Sequence, residues 1–138
     1  MRVVQPAGWP APRGYANGVV VESTGALHVA GQIGWDMDGS FGSDDLVSQF
    51  GRALENVLAV VAAAGGTART IVSMTVYVTD MAAYRASTRE IGRVWRERMG
   101  EHYPAMALVG VAELVEPRAR VEIQAVAELP DEPTEQGA

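Results

Sequence analysis

Polar and apolar side chains alternate along residues 71–79. Val72, Met74, Val76 and Val78 take one side; Ser73, Thr75, Tyr77 and Thr79 take the other. A period of two predicts a strand with one face in the core. Upstream the period lengthens. Leu46, Phe50, Leu54, Val57, Leu58 and Val61 recur at helical spacing, preceded by Ser43-Asp44-Asp45 as a cap followed by acids in the first turn, and ended by Gly65-Gly66. Residues 81–99 read as a second helix, with Tyr84, Ile91, Val94, Trp95 and Met99 as its core contacts. Residues 19–21 and 26–30 read as a hairpin broken by Ser23-Thr24-Gly25. Near the C-terminus, residues 105–112 and 121–127 read as two strands joined by a short Glu-Pro-Arg turn, a second hairpin. Residues 1–17 read as an irregular lead-in, residues 34–42 as a loop rich in Gly and Asp, and residues 129–138 as a flexible tail after a single domain over 1–128.

The order ββ, α, β, α, ββ predicts an α+β fold: a mixed sheet with two helices on one face. Two helices cover only one face of such a sheet. Residues 105–112, however, are apolar on both alternating faces apart from Gly110. The second face therefore needs another cover, and self-association is the simplest.

Composition narrows the classes. The chain has 138 residues, 48% hydrophobic and 20% charged, which is ordinary for one globular domain. No unbroken apolar run reaches the length of a membrane span, and no secretory leader is visible. Cys is absent, so disulfides, thiolate nucleophiles and cysteine metal sites are excluded. These features suit the cytoplasm. A net charge of −6 argues against a nucleic-acid partner.

The candidate chemistry starts at Glu122. Glu122 and Gln124 share one side of an otherwise apolar strand, where a carboxylate must be solvated, paired or used. Two readings follow. Glu122 activates a water, or it is a structural carboxylate paired with Arg118 or Arg120. Tyr15 either lines a cleft or packs with a wet tip. Trp35 either walls a pocket for a planar ligand or simply packs. Arg85, Arg89, Arg93 and Arg96 form a stripe that either meets phosphate or is a solvated face, with Arg93 and Glu97 at i,i+4 spacing. Asp36, Asp38, Asp44 and Asp45 lack the calcium-loop spacing and read as loop and cap residues. His28 and His102 are not linked by metal spacing. No cofactor is implied.

An ordered set of motifs carries a resemblance. Tyr103-Pro104-Ala105, Val109-Gly110-Val111, Val121-Glu122-Ile123-Gln124-Ala125-Val126-Ala127, Gly14-Tyr15 and Ala30-Gly31-Gln32-Ile33 together resemble the reactive-intermediate deaminase (Rid, YjgF-like) family over nearly all of residues 12–128. The resemblance implies a chorismate-mutase-like homotrimer with small-molecule substrate clefts between subunits. It implies hydrolysis of an enamine or imine, with Glu122 and Tyr15 as catalytic residues and Gly31 at the substrate. Four positions depart from the pattern. Ala30 stands where Ser is frequent, and Arg13-Gly14 where Gly-Pro is usual. Met106 stands where the family has the Arg that clamps a substrate carboxylate. Met106 then shapes an apolar pocket, and Arg13, Arg118 and Arg120 are the candidates for a relocated cation. A noncatalytic ligand-binding trimer and an endoribonuclease are the alternatives.

Overall fold

In the computed structural model, residues 1–130 are described; the expected tail from residue 131 onward lies outside them. Six strands form one mixed sheet in the order β1-β2-β3-β6-β4-β5: β1 Arg2–Val4, β2 Gly18–Val21, β3 Ala26–Gln32, β4 Ile71–Val78, β5 Ala105–Gly110 and β6 Val121–Glu128. Only β4 and β5 run parallel. Parallel neighbours need a long crossover, which α2 (Met81–Ala86) and α3 (Thr88–Met99) supply. The remaining helix, α1 (Leu46–Ala63), packs on β3, β6 and α3.

The α+β reading and the first hairpin hold. Helix α1 starts later than expected: Asp45 rather than Ser43 is the cap, its side chain accepting from the Ser48 N–H at 3.0 Å, so no acid falls in the first turn. The second hairpin does not form. Strands β5 and β6 lie on opposite sides of β4, β5 parallel to it and β6 antiparallel. The segment between them is far longer than a tight hairpin loop, so it can step across β4. Strand β4 is buried on its core face and gains two partners instead of standing at the edge. Residues 81–99 form two helices, because α2 ends at Ser87 and α3 begins there. The lead-in is not wholly irregular, since β1 adds an edge strand to β2.

Alternation along β4 also slips. A register irregularity between Ile71 and Ser73 buries Ile71 and turns Val72 outward, 46% exposed. From Met74 onward the expected phase holds, with Met74, Val76 and Val78 buried. At the other end, the Leu129 N–H donates to the Gly25 carbonyl at 2.8 Å and its side chain packs on the core.

By length and composition α1 is apolar enough to cross a membrane, although Gln49, Arg52, Glu55 and Asn56 interrupt it and no unbroken apolar run reaches that length. Here its apolar surface has another use. Leu46, Phe50, Leu54, Val57, Val60 and Val61 are buried against the sheet and α3.

Among the described residues no helix covers the opposite sheet face. Val3, Val19, His28, Val126, Gln124, Glu122, Tyr77, Thr75 and Val109 share it by register. Val3 is 69% and Val109 40% exposed.

Candidate functional site

Strand alternation puts Glu122 on the open face of β6, directly opposite Tyr77 of β4, with Thr75 and Gln124 the next pair. The Tyr77 hydroxyl donates to Gln124 Oε1 at 3.3 Å, so the amide beside Glu122 is already engaged. On the other side of β6, β3 is irregular between Val29 and Gln32. That irregularity brings Gly31 beneath Glu122. A Cβ added at Gly31 would lie 2.6 Å from Glu122 Oε2 and 2.7 Å from its Cδ. Only a glycine lets the carboxylate lie against the β3 backbone.

Glu122 is half-buried. Burial pushes its carboxyl above the ordinary value of 4.5. The structural pairing does not occur. Arg118 turns away to Asp44, with Nη2 3.0 Å from Oδ1, and its guanidinium lies 5.4 Å from the centre of the Phe41 ring. Arg120 makes no ion pair among the described residues. Glu122 likewise has neither an ion pair nor a hydrogen bond there. A carboxylate with a raised pKa and free oxygens on a polar strip can hold a water and accept its proton.

Gly31→Ala is expected to drive the Glu122 side chain off β3, from 2.6 Å to the 3.4 Å or more of ordinary contact. A crystal structure of the variant checks this; an unmoved carboxylate would contradict the close approach.

The other expected residues divide. Ala30 adjoins Gly31, and its N–H donates to the Asn17 carbonyl at 2.8 Å. That bond ties the lead-in to β3 two residues past Tyr15, which is itself 47% exposed. Arg120 sits two residues before Glu122, in a groove of about 840 Å³ shared with Asp80 and Glu113. Trp35 is held from the far side: its carbonyl accepts from Asn56 Nδ2 at 3.0 Å and Arg52 Nε at 3.2 Å, so α1 positions that loop. Met106 is the main surprise. It pairs with Met74 on the helix-covered face, the face opposite Glu122. There it lines a separate apolar pocket of about 210 Å³ between β5 and α3, with Tyr84, Trp95 and Tyr103. Within one chain Met106 and Glu122 therefore cannot form one site.

The acidic cluster resolves into structural parts. Asp36 pairs with Arg52 at 3.4 Å, Asp38 holds the Ser40 turn, Asp44 pairs with Arg118, and Asp45 caps α1. The same is true of His102, whose Nε2 lies 2.7 Å from the Ile71 carbonyl oxygen. Glu97 meets Arg98 at 3.4 Å rather than Arg93. Among the described residues no group of three His, Cys, Asp or Glu could hold a metal.

Two positioning residues escape the sequence reading. Gln49 and Asn56 are polar yet buried on the sheet-facing side of α1. Gln49 Nε2 donates to the carbonyls of Ser43 and Arg118, and its Oε1 accepts from the Arg120 N–H at 2.8 Å. This side chain thereby fixes the entry into β6 and the strand that carries Glu122. Asn56 does the same for the exit of β3, donating to the carbonyls of Ile33 and Trp35. Two amides seven residues apart on an apolar helix face are the signal that could have exposed them.

Comparisons with known proteins agree with this fold. The family model described as endoribonuclease L-PSP matches residues 9–129. The 2-iminobutanoate/2-iminopropanoate deaminase of Homo sapiens is 30% identical over 128 residues, 91% of this chain and 88% of that protein. A RutC family protein of Haemophilus influenzae is 39% identical over 83 residues; the match spans 60% of this chain and 63% of the relative's length. Among solved structures, Escherichia coli TdcF with bound serine superposes with a TM-score of 0.81 at 28% identity, covering 94% of this chain and 100% of that one. The YjgF gene product of the same organism gives 0.80 at 28% identity, covering 93% and 98%. A sheet of this order, a polar strip around Glu122 and a family match across almost the whole described chain lead to one assignment: the chain belongs to the endoribonuclease L-PSP family, the YjgF/Rid group.

Proposed function

We propose that the chain is a hydrolase of reactive imines or enamines, working in the cytoplasm as a homotrimer with its substrate in clefts between subunits. The observation that carries the reading is Glu122: half-buried, raised in pKa, free of internal cations and laid against Gly31, in a chain whose relatives include named imine deaminases. In the proposed step Glu122 accepts a proton from water as the oxygen adds to the C=N carbon. The nitrogen is protonated, the carbinolamine collapses, and a carbonyl compound and ammonia leave. Tyr15 and the Gly31 backbone contact the substrate.

Subunit association follows from two features. The open sheet face is partly apolar and uncovered. Met106 and Glu122 occupy opposite faces of one sheet, so a cleft using both requires two chains.

Met106 sets the substrate class. A charge-assisted clamp on a carboxylate contributes roughly 1.5–3 kcal/mol per hydrogen bond, and Met cannot make one. Wild type is expected to hydrolyse imines without an α-carboxylate better than 2-aminoacrylate-type imines. Met106→Arg should raise turnover of the latter by about tenfold or more. Steady-state ammonia release from both substrate types tests the reading. No turnover of either by a protein shown to be trimeric would overturn it.

Met106 also favours a second reading, a noncatalytic trimer that binds an apolar ligand. Glu122→Ala separates the two: it should abolish turnover if the protein is a hydrolase, whereas a binder shows no turnover to lose and keeps its affinity. RNA cleavage, suggested by the family's description, is disfavoured by the net charge of −6 and by an arginine stripe without interleaved aromatic platforms.

A further inference from the structure

The pocket between β5 and α3 has a feature that the hydrolytic site does not use. Its floor is apolar, with Phe50, Val76 and Ile91 from three elements. Its wall includes Met106 and a stacked aromatic pair: the Trp95 and Tyr103 rings are 6.1 Å apart at 7°. One cation, Arg96, stands at the rim.

Arg96 differs from the rest of its stripe. Arg85, Arg89 and Arg93 do not line the pocket. Arg96 has no carboxylate within ion-pair distance and no hydrogen bond from its side chain among the described residues, whereas its neighbour Arg98 is tied to Glu55 at 2.8 Å. The direction of the Arg96 side chain is set by Gly92, one turn earlier. A Cβ there would lie 3.3 Å from Arg96 Nη1, so the guanidinium lies down over the glycine instead of extending straight into solvent. Gly92 itself lines the pocket. The missing side chain thus opens the floor and admits the guanidinium.

Size and chemistry restrict the occupant. An apolar cavity of about 150 Å³ takes benzene; a pocket of about 210 Å³ has room for a ring with a short arm. A free planar guanidinium at the rim of an apolar pocket matches a carboxylate. Tyr84, also lining the pocket, has its phenol raised by burial and stays a neutral hydroxyl.

We infer that this pocket binds a small organic acid, its flat apolar body between Met106, Tyr84 and the aromatic pair and its carboxylate on Arg96. The acid is then held several ångströms from the apolar end. This deepens the hydrolytic reading by naming the substrate class, an imine whose carboxylate is separated from its reacting carbon by an apolar group. The binding claim stands without turnover.

The test is calorimetric titration of the Glu122→Ala protein with 3-phenylpropanoate and with 3-phenylpropanol. The carboxylate is expected to bind at least about tenfold tighter. Arg96→Gln should remove that preference while leaving alcohol binding unchanged, and Arg93→Gln should leave both unchanged. Equal affinities for acid and alcohol, an equal loss with Arg93→Gln, or no binding of either probe would overturn the inference. Failure of the hydrolytic reading would look different: the wild type would bind the acid but release no ammonia from any imine.

Discussion

Glu122→Gln is expected to cut imine hydrolysis by roughly 10²–10⁴-fold, the usual contribution of a positioned general base. Glutamine keeps the shape over Gly31 but cannot take a proton. Wild-type turnover should fall on the acid side with a midpoint above 4.5, because burial raises the Glu122 carboxyl and the base must be ionised. Stability should move the other way. A folded-state pKa above the unfolded one means that folding disfavours the charged form. That penalty is present above the folded pKa and fades as pH falls through it toward the unfolded value. The substitution should therefore raise the melting temperature at pH 8 and leave it unchanged at pH 4. Pairing a pH–rate profile with two melting curves checks both claims. An unshifted acid limb together with equal melting gains at both pH values would remove Glu122 from the mechanism.

Gln49→Leu is expected to destabilise the protein by roughly 2–4 kcal/mol, since it strips partners from the Ser43 and Arg118 carbonyls and the Arg120 N–H. For a chain of this length that is a fall of about 10 °C in melting temperature. An exposed control, Glu90→Gln, should cost under about 0.5 kcal/mol. Because Gln49 fixes the start of β6, turnover should drop along with stability. A melting temperature within a degree or two of wild type would show that water replaces the lost partners.

Local signals were legible in the sequence; pairing was not. The cap segment of α1 and the β2–β3 turn involve residues a few positions apart; the turn is found where predicted, and the helix starts two residues later than expected, after Asp45 instead of Ser43. The separation of β5 from β6 depends on β4, about thirty residues upstream of β5. Turn residues near Pro117 cannot report a strand inserted from elsewhere. Face assignment fails for a related reason. Alternation places Met106 and Glu122 within their own strands, but only the pairing of each with β4 sets them on opposite faces. Val72 turns outward because a register slip consumed one position. Resemblance located Glu122 and Gly31 separately; their contact, with no room for a Cβ, is visible only in three dimensions.

The strand order also dictates how the chain can assemble. Strand β6 is the last of the six in sequence, yet it fills the slot between β3 and β4 at the centre of the sheet. Until residue 128 leaves the ribosome, β3 and β4 each present an unsatisfied inner edge and no continuous sheet exists. Strand pairing across such separations is slow and exposes edges to other chains. Nascent copies therefore carry their greatest risk of mispairing just before synthesis of β6 is complete, and a truncation inside β6 removes a keystone rather than a margin.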